Sequence, residues 1–103
     1  MIGHEITHGF DDQGRQFDDK GNLENWWEFD TLSKFLEKTT CIIQQYGNYT
    51  ADTVNLQLNG INTQGENIGD NGGLKEAYRA YGKRLHTINK NCSANSASAW
   101  ERE

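Results

Sequence analysis

His4 and His8 stand four residues apart, with Glu5 directly after the first, in the stretch GHEITHGFDD from Gly3 to Asp12. Residues four apart lie on one face of an α-helix, so a helix here aims both imidazoles at one point. Glu5 sits about 100° round that helix from His4, close to the same point but not aimed straight at it. Two imidazoles that hold a metal, and a carboxylate beside them to handle activated water, are what a zinc hydrolase needs. A chance match on a solvated helix is the plain alternative, and the motif by itself lacks a third ligand.

Composition narrows the setting. In 103 residues, 34% of them hydrophobic, the chain holds one modest domain at most and its core must be thin. The net charge of −5 argues against nucleic acid, because binding phosphate needs a basic surface. No apolar run approaches the ~18 residues of a membrane span, and the N-terminus lacks a signal peptide's apolar stretch. Met1 opens directly onto the metal-binding pattern, which suggests an incomplete domain.

The pattern predicts a mainly α chain. Met1 to Asp11 reads as the first helix, and Asp12 to Asn25, rich in Asp, Gly and Asn, as loop and turn. Calcium is rejected there by spacing. An EF-hand loop with Gly21 at its sixth position would need acids where Gln16 and Trp27 stand. After Trp26 and Trp27, the residues Phe29, Leu32, Phe35, Leu36, Ile42, Ile43 and Tyr46 recur at helical intervals and read as core packing. Val54, Leu56 and Leu58 alternate as a short strand ending in an Asn59-Gly60 turn. A third helix starts at Gly65 and gathers Leu74, Ala77, Tyr78, Tyr81, Leu85 and Ile88 on one face. Residues 88–103 read as a polar, disordered tail.

The third helix offers the missing ligand. Glu66 and Asp70 are again four apart. If this helix folds back on the first, Glu66 completes the metal site and Asp70 accepts the second ring N–H of a ligand histidine. Asp11, three residues beyond His8, is placed to do the same for that ring. The plain alternative is an ordinary acidic helix start. Cys41 and Cys92 fit no metal-binding spacing, and two N-x-S/T triplets, at Asn48 and Asn91, lean toward an extracellular setting with N-glycosylation.

GHEITHGFDDQGRQFD, Trp26-Trp27, Cys41 with Gln45 and Tyr46, and GENIGDNGGLKEAYRAY together resemble the neprilysin and endothelin-converting enzyme family of zinc metallopeptidases. The resemblance runs from Ile2 to Tyr81. It implies that His4, His8 and Glu66 bind one zinc ion, that Glu5 is the catalytic base, and that Asp11 and Asp70 hold the histidines, Asp70 also serving catalysis. It implies a zinc-peptidase fold of which residues 1–87 form part, with the remainder of the catalytic domain as its partner. It further implies peptide substrates, a place at the extracellular face of the plasma membrane or in secretion, and a disulfide from Cys41 to a partner near the C-terminus. The family's backbone-aligning Asn-Ala segment, and the histidine and arginine that assist its transition state, match nothing in these 103 residues. Gly69 stands where the family usually has alanine, at a cost to the helix of about 0.5–1 kcal/mol. A zinc-binding remnant without catalysis is the alternative.

Overall fold

A computed structural model describes the backbone of residues 1–100 and the side chains of residues 1–87. Three helices and one small hairpin follow in the order α1 (Ile2–His8), α2 (Phe29–Gly47), β1 (Thr50–Ala51), β2 (Leu56–Gln57) and α3 (Gln64–Trp100). The expected tail at 88–103 lies outside the residues whose side chains are described.

The first helix is shorter than its sequence pattern. It stops at His8, and the Gly9 N–H closes it onto the Ile6 carbonyl at 3.2 Å. The N–H groups of Phe10 and Asp11 still turn back to the carbonyls of Thr7 and His8, and Asp11 then takes the donors of Gln13 (2.9 Å) and Gly14 (2.7 Å) on its Oδ1. A short polar side chain that captures main-chain donors competes with helix, and here it wins. The expected loop that follows contains one turn of 3-10 helix at Gly14–Gln16 and a bridge between Phe17 and Leu23. That bridge is closed by Asp18, which accepts from Lys20 and Asn22, and by Gly21 at φ +79°. Trp26 and Trp27 precede α2 and fasten the loop, their indole N–H groups donating to the carbonyls of Phe17 (2.8 Å) and Arg15 (3.0 Å).

The α2 stripe is only partly covered. Phe29 and Leu36, which the period assigns to core packing, are exposed, because Phe29 opens the helix and Leu36 meets no neighbouring element. Leu32, Phe35, Ile42, Ile43 and Tyr46 are half-buried against the Arg15–Trp27 loop and α3. Asn71 of α3 donates to the Tyr46 hydroxyl at 3.0 Å across this contact. The thin core expected from composition is observed: among the described residues no hydrophobic side chain is fully buried. The strand reading needs correction. Val54 lies in the turn of an antiparallel hairpin whose first strand, Thr50–Ala51, is too short and polar to show in the alternation. Asn59 does end β2 in a turn, but the turn leads into α3: its Oδ1 accepts from Ile61 and Asn62, both at 3.1 Å.

Candidate metal centre

The fold packs α1 against the start of α3, and this contact brings His4 and His8 to Glu66 and Asp70, with Asp11 beside His8. His4 and His8 share a face of α1, their rings perpendicular with centroids 4.5 Å apart and their Nε2 atoms 2.9 Å apart. Glu66, in the first turn of α3, brings Oε2 to 3.2 Å from His4 Nε2 and Oε1 to 3.7 Å from His8 Nε2. Atoms 2.0–2.1 Å from one tetrahedral centre stand about 3.3 Å apart, and the three spacings bracket that value.

The outward nitrogens are tied to carboxylates. His4 Nδ1 lies 2.9 Å from Asp70 Oδ1, and His8 Nδ1 lies 2.7 Å from Asp11 Oδ2. An ionised carboxylate only accepts, so each Nδ1 carries the proton and each neutral ring turns its Nε2 lone pair inward. Two lone pairs and a carboxylate then face each other across about 3 Å. Such a set repels itself unless a positive charge sits between, and a divalent cation fits the donor set. One ligand atom from each of His4, His8 and Glu66 lies within 4.8 Å of the others, the grouping a metal requires.

Electrostatics agree with this picture. The hydrogen bond to Asp11 raises the His8 pKa above its ordinary 6.5; partial desolvation opposes the shift, and the charges of Glu66, Asp11 and Glu5 reinforce it. Burial alone would push the Asp11 carboxyl up. The N–H of Gly14, the His8 ring and the N–H of Gln13 outweigh burial and hold Asp11 below the ordinary carboxylate value. Asp11 is only 6% exposed, so it is the anchored member of the pair and fixes the ring rather than following it.

Glu5 is placed differently. It is exposed on α1, and among the described residues it makes no side-chain hydrogen bond or ion pair, while its charge is felt at His8. Glu5 is not one of the grouped ligand residues, which are His4, His8 and Glu66.

These positions can be set beside known proteins. The profile of peptidase family M13 matches residues 1–99. The chain belongs to peptidase family M13. Neprilysin-2 of Drosophila melanogaster is 70% identical over 81 residues, covering 79% of this chain and 10% of that protein. Human neprilysin is 58% identical over 82 residues, covering 79% of the chain and 11% of that protein. The crystal structure of the Mycobacterium tuberculosis zinc metalloprotease Zmp1 with an inhibitor superposes with a TM-score of 0.77 at 48% identity, over 82% of this chain and 14% of that one. The M13 chain described here thus spans about a tenth of the length of the curated relatives it matches.

Cys41 is an exposed thiol on α2, and Asn48 ends that helix with its N–H on the Gln44 carbonyl. Cys92 and Asn91 lie outside the residues whose side chains are described. Glycines that let the site close, Gly14 among them, carry no signal in the sequence pattern. A Cβ on Gly14 would run into the His8 carbonyl, so the loop that carries Asp11 can return to His8 only over a glycine.

Asp70 gives the site's graded test. Asp70→Ala removes the acceptor that fixes the His4 ring, and metal affinity is expected to fall by about 10–100-fold. Titration of the metal-free chain with zinc against a competing chelator measures it, and an unchanged affinity would show that the His4 tautomer is held by something else.

Proposed function

We propose that this chain is the metal-bearing segment of a zinc metalloendopeptidase that hydrolyses peptide bonds of small bioactive peptides. His4, His8 and Glu66 hold the metal, Glu5 is the general base, Asp70 and Asp11 orient the histidines, and Asp70 also assists catalysis. One observation carries the reading: both outward Nδ1 atoms rest on carboxylates while both Nε2 atoms and Glu66 converge. When bound, zinc supplies a Lewis acid that acidifies water and polarises a carbonyl. Glu5 takes a proton from the attacking water on a carboxylate oxygen and returns it to the departing amine. An extracellular or secreted setting and a disulfide from Cys41 belong to this reading through the family, and N-glycosylation at Asn48 through its N-x-S/T triplet. Among the described residues no helix is long and apolar enough to cross a membrane.

The test is metal content and its pH dependence. Purified protein is expected to hold about one equivalent of zinc, and His8→Ala to lose it; retention of zinc by His8→Ala would overturn the ligand set. The proton and the metal compete for His8. Because the His8 pKa is raised in the folded chain, the proton is held to higher pH than in a free histidine. Zinc affinity is therefore full above the raised value and falls as pH drops through it, the loss beginning above the ordinary 6.5. Calorimetric titrations in steps between about pH 5 and 8 follow this loss.

A further inference from the structure

The contact between α1 and α3 is made by glycines, and it is closest beside His4. A Cβ on Gly73 would lie 2.5 Å from the His4 main-chain nitrogen and 2.9 Å from the His4 Cα. A Cβ on Gly3, facing it, would lie 3.0 Å from both the Cα and the carbonyl oxygen of Gly73. Gly72 is close to α1 as well, but through a side chain, since its Cβ would meet Thr7 Cγ2 at 2.6 Å. The two helices therefore cross backbone to backbone at Gly3 and Gly73, where main-chain atoms cannot swing aside as a side chain can. Glycine inside a helix costs it stability relative to alanine, so two adjacent glycines in α3 oppose local propensity.

The crossing point bears on the site. Gly73 lies three residues beyond Asp70 and seven beyond Glu66, on one face of α3 by the helical period. Asp70 has a short side chain, and its 2.9 Å bond to His4 Nδ1 has little reach to spare. Ordinary contact to a Cβ begins at 3.4 Å, so a methyl group at residue 73 would part the helices by about 1 Å at this point. We infer that Gly73 is a positioning residue for the metal centre: it sets the approach of α3 to α1 that brings Asp70 and Glu66 within reach of His4 and His8. The inference rests on the function proposed above for that centre. It assigns a role to a residue that touches neither metal nor substrate.

Neighbouring glycines supply a graded series. The nearest atoms to a Cβ on Gly69 belong to the His4 ring, at 3.0 Å from Cε1 and Nδ1, and a ring can yield by a few tenths of an ångström. Gly82, farther along α3, has nothing within 4 Å of its Cβ position. All three alanine substitutions favour helix by similar amounts, so they differ in what the new methyl group strikes.

Two measurements on the full chain and its variants make the test. The first is cobalt(II) affinity with the visible d–d spectrum, which reports four-coordinate geometry. The second is the low-field His4 Nδ1 proton resonance in metal-free protein, which reports the bond to Asp70. Gly73→Ala is expected to lower cobalt affinity by about 10–100-fold, weaken the four-coordinate bands and erase the proton resonance, with helical circular dichroism retained. Gly69→Ala is expected within a few-fold of wild type, and Gly82→Ala to match it. Wild-type affinity and an intact His4 resonance in Gly73→Ala would overturn the inference. So would a loss matched by Gly82→Ala or accompanied by lost helicity, because the glycine would then serve folding rather than the site. A wild type that binds no cobalt yet shows a His4 resonance sensitive to Gly73→Ala would refute the metal reading and leave the positioning role standing.

Discussion

Glu5→Gln is expected to leave the metal in place and to lower peptide hydrolysis by about 10²–10⁴-fold in an active polypeptide that carries this sequence. The amide is nearly the shape of the carboxylate but cannot take a proton at the oxygen where the base must work. Metal retention follows from the geometry, since the converging atoms belong to His4, His8 and Glu66 and Glu5 is not one of them. The substitution also removes a charge that helps to raise the His8 pKa, though that charge ranks behind the bond to Asp11 and the charges of Glu66 and Asp11. Zinc affinity near neutral pH should therefore hold or rise slightly. Turnover close to wild type would mean that another group is the base, and loss of zinc would place Glu5 among the ligands. Measured together, metal content and rate distinguish the two outcomes.

The contrast between Glu5 and Glu66 shows how far the sequence reached. Both motifs work through the four-residue helical period, a local property, so His4 with His8 and Glu66 with Asp70 could be paired from spacing alone. The approach of one helix to the other is not local. Only Gly69 stood out in the sequence, as a departure from alanine; Gly72 and Gly73 gave no signal there, and the structure shows their part in the contacts of Gly73 with His4 and of Gly72 with Thr7. Asp11 was found for an incomplete reason. It reaches His8 from a turn that its own carboxylate organises, not from a longer helix. The hairpin was half-seen because Leu56 belongs to an alternating run, whereas Thr50–Ala51 pairs through main-chain bonds that leave no apolar signature. The same distinction explains the helix faces. Periodicity gathered Leu74, Tyr78, Tyr81 and Leu85 on one face of α3 but could not say what covers them, and in the structure they stay exposed.

The 103 residues assayed by themselves are expected to give only background peptide hydrolysis, even when loaded with zinc. Exposure is the first reason. The His4 and His8 side chains keep 20% and 29% of their accessible surface and Glu66 keeps 72%, so the charges of the centre work against water rather than in a dry, low-dielectric cleft. Transition-state donors are the second. Removing one oxyanion donor typically costs about 10²–10³ in rate, and the family's assisting histidine and arginine match nothing in this sequence. A third term is positioning, since the segment that aligns a peptide backbone is likewise unmatched and a substrate would meet the metal with its full orientational freedom. Stability acts in the same direction: with no hydrophobic side chain fully buried among the described residues, the packing of α3 on α1 has little apolar burial behind it. The assay adds zinc to the chain with a quenched fluorescent peptide carrying a hydrophobic cleavage site, and reads chelator-sensitive turnover beside bound metal. Turnover comparable with an intact family member would show that these residues suffice for the chemistry. Bound zinc with background turnover would show that the ligand set is complete here and that catalysis needs groups outside it, because holding a metal takes three converging atoms whereas stabilising a transition state takes donors aimed at charge that has yet to form.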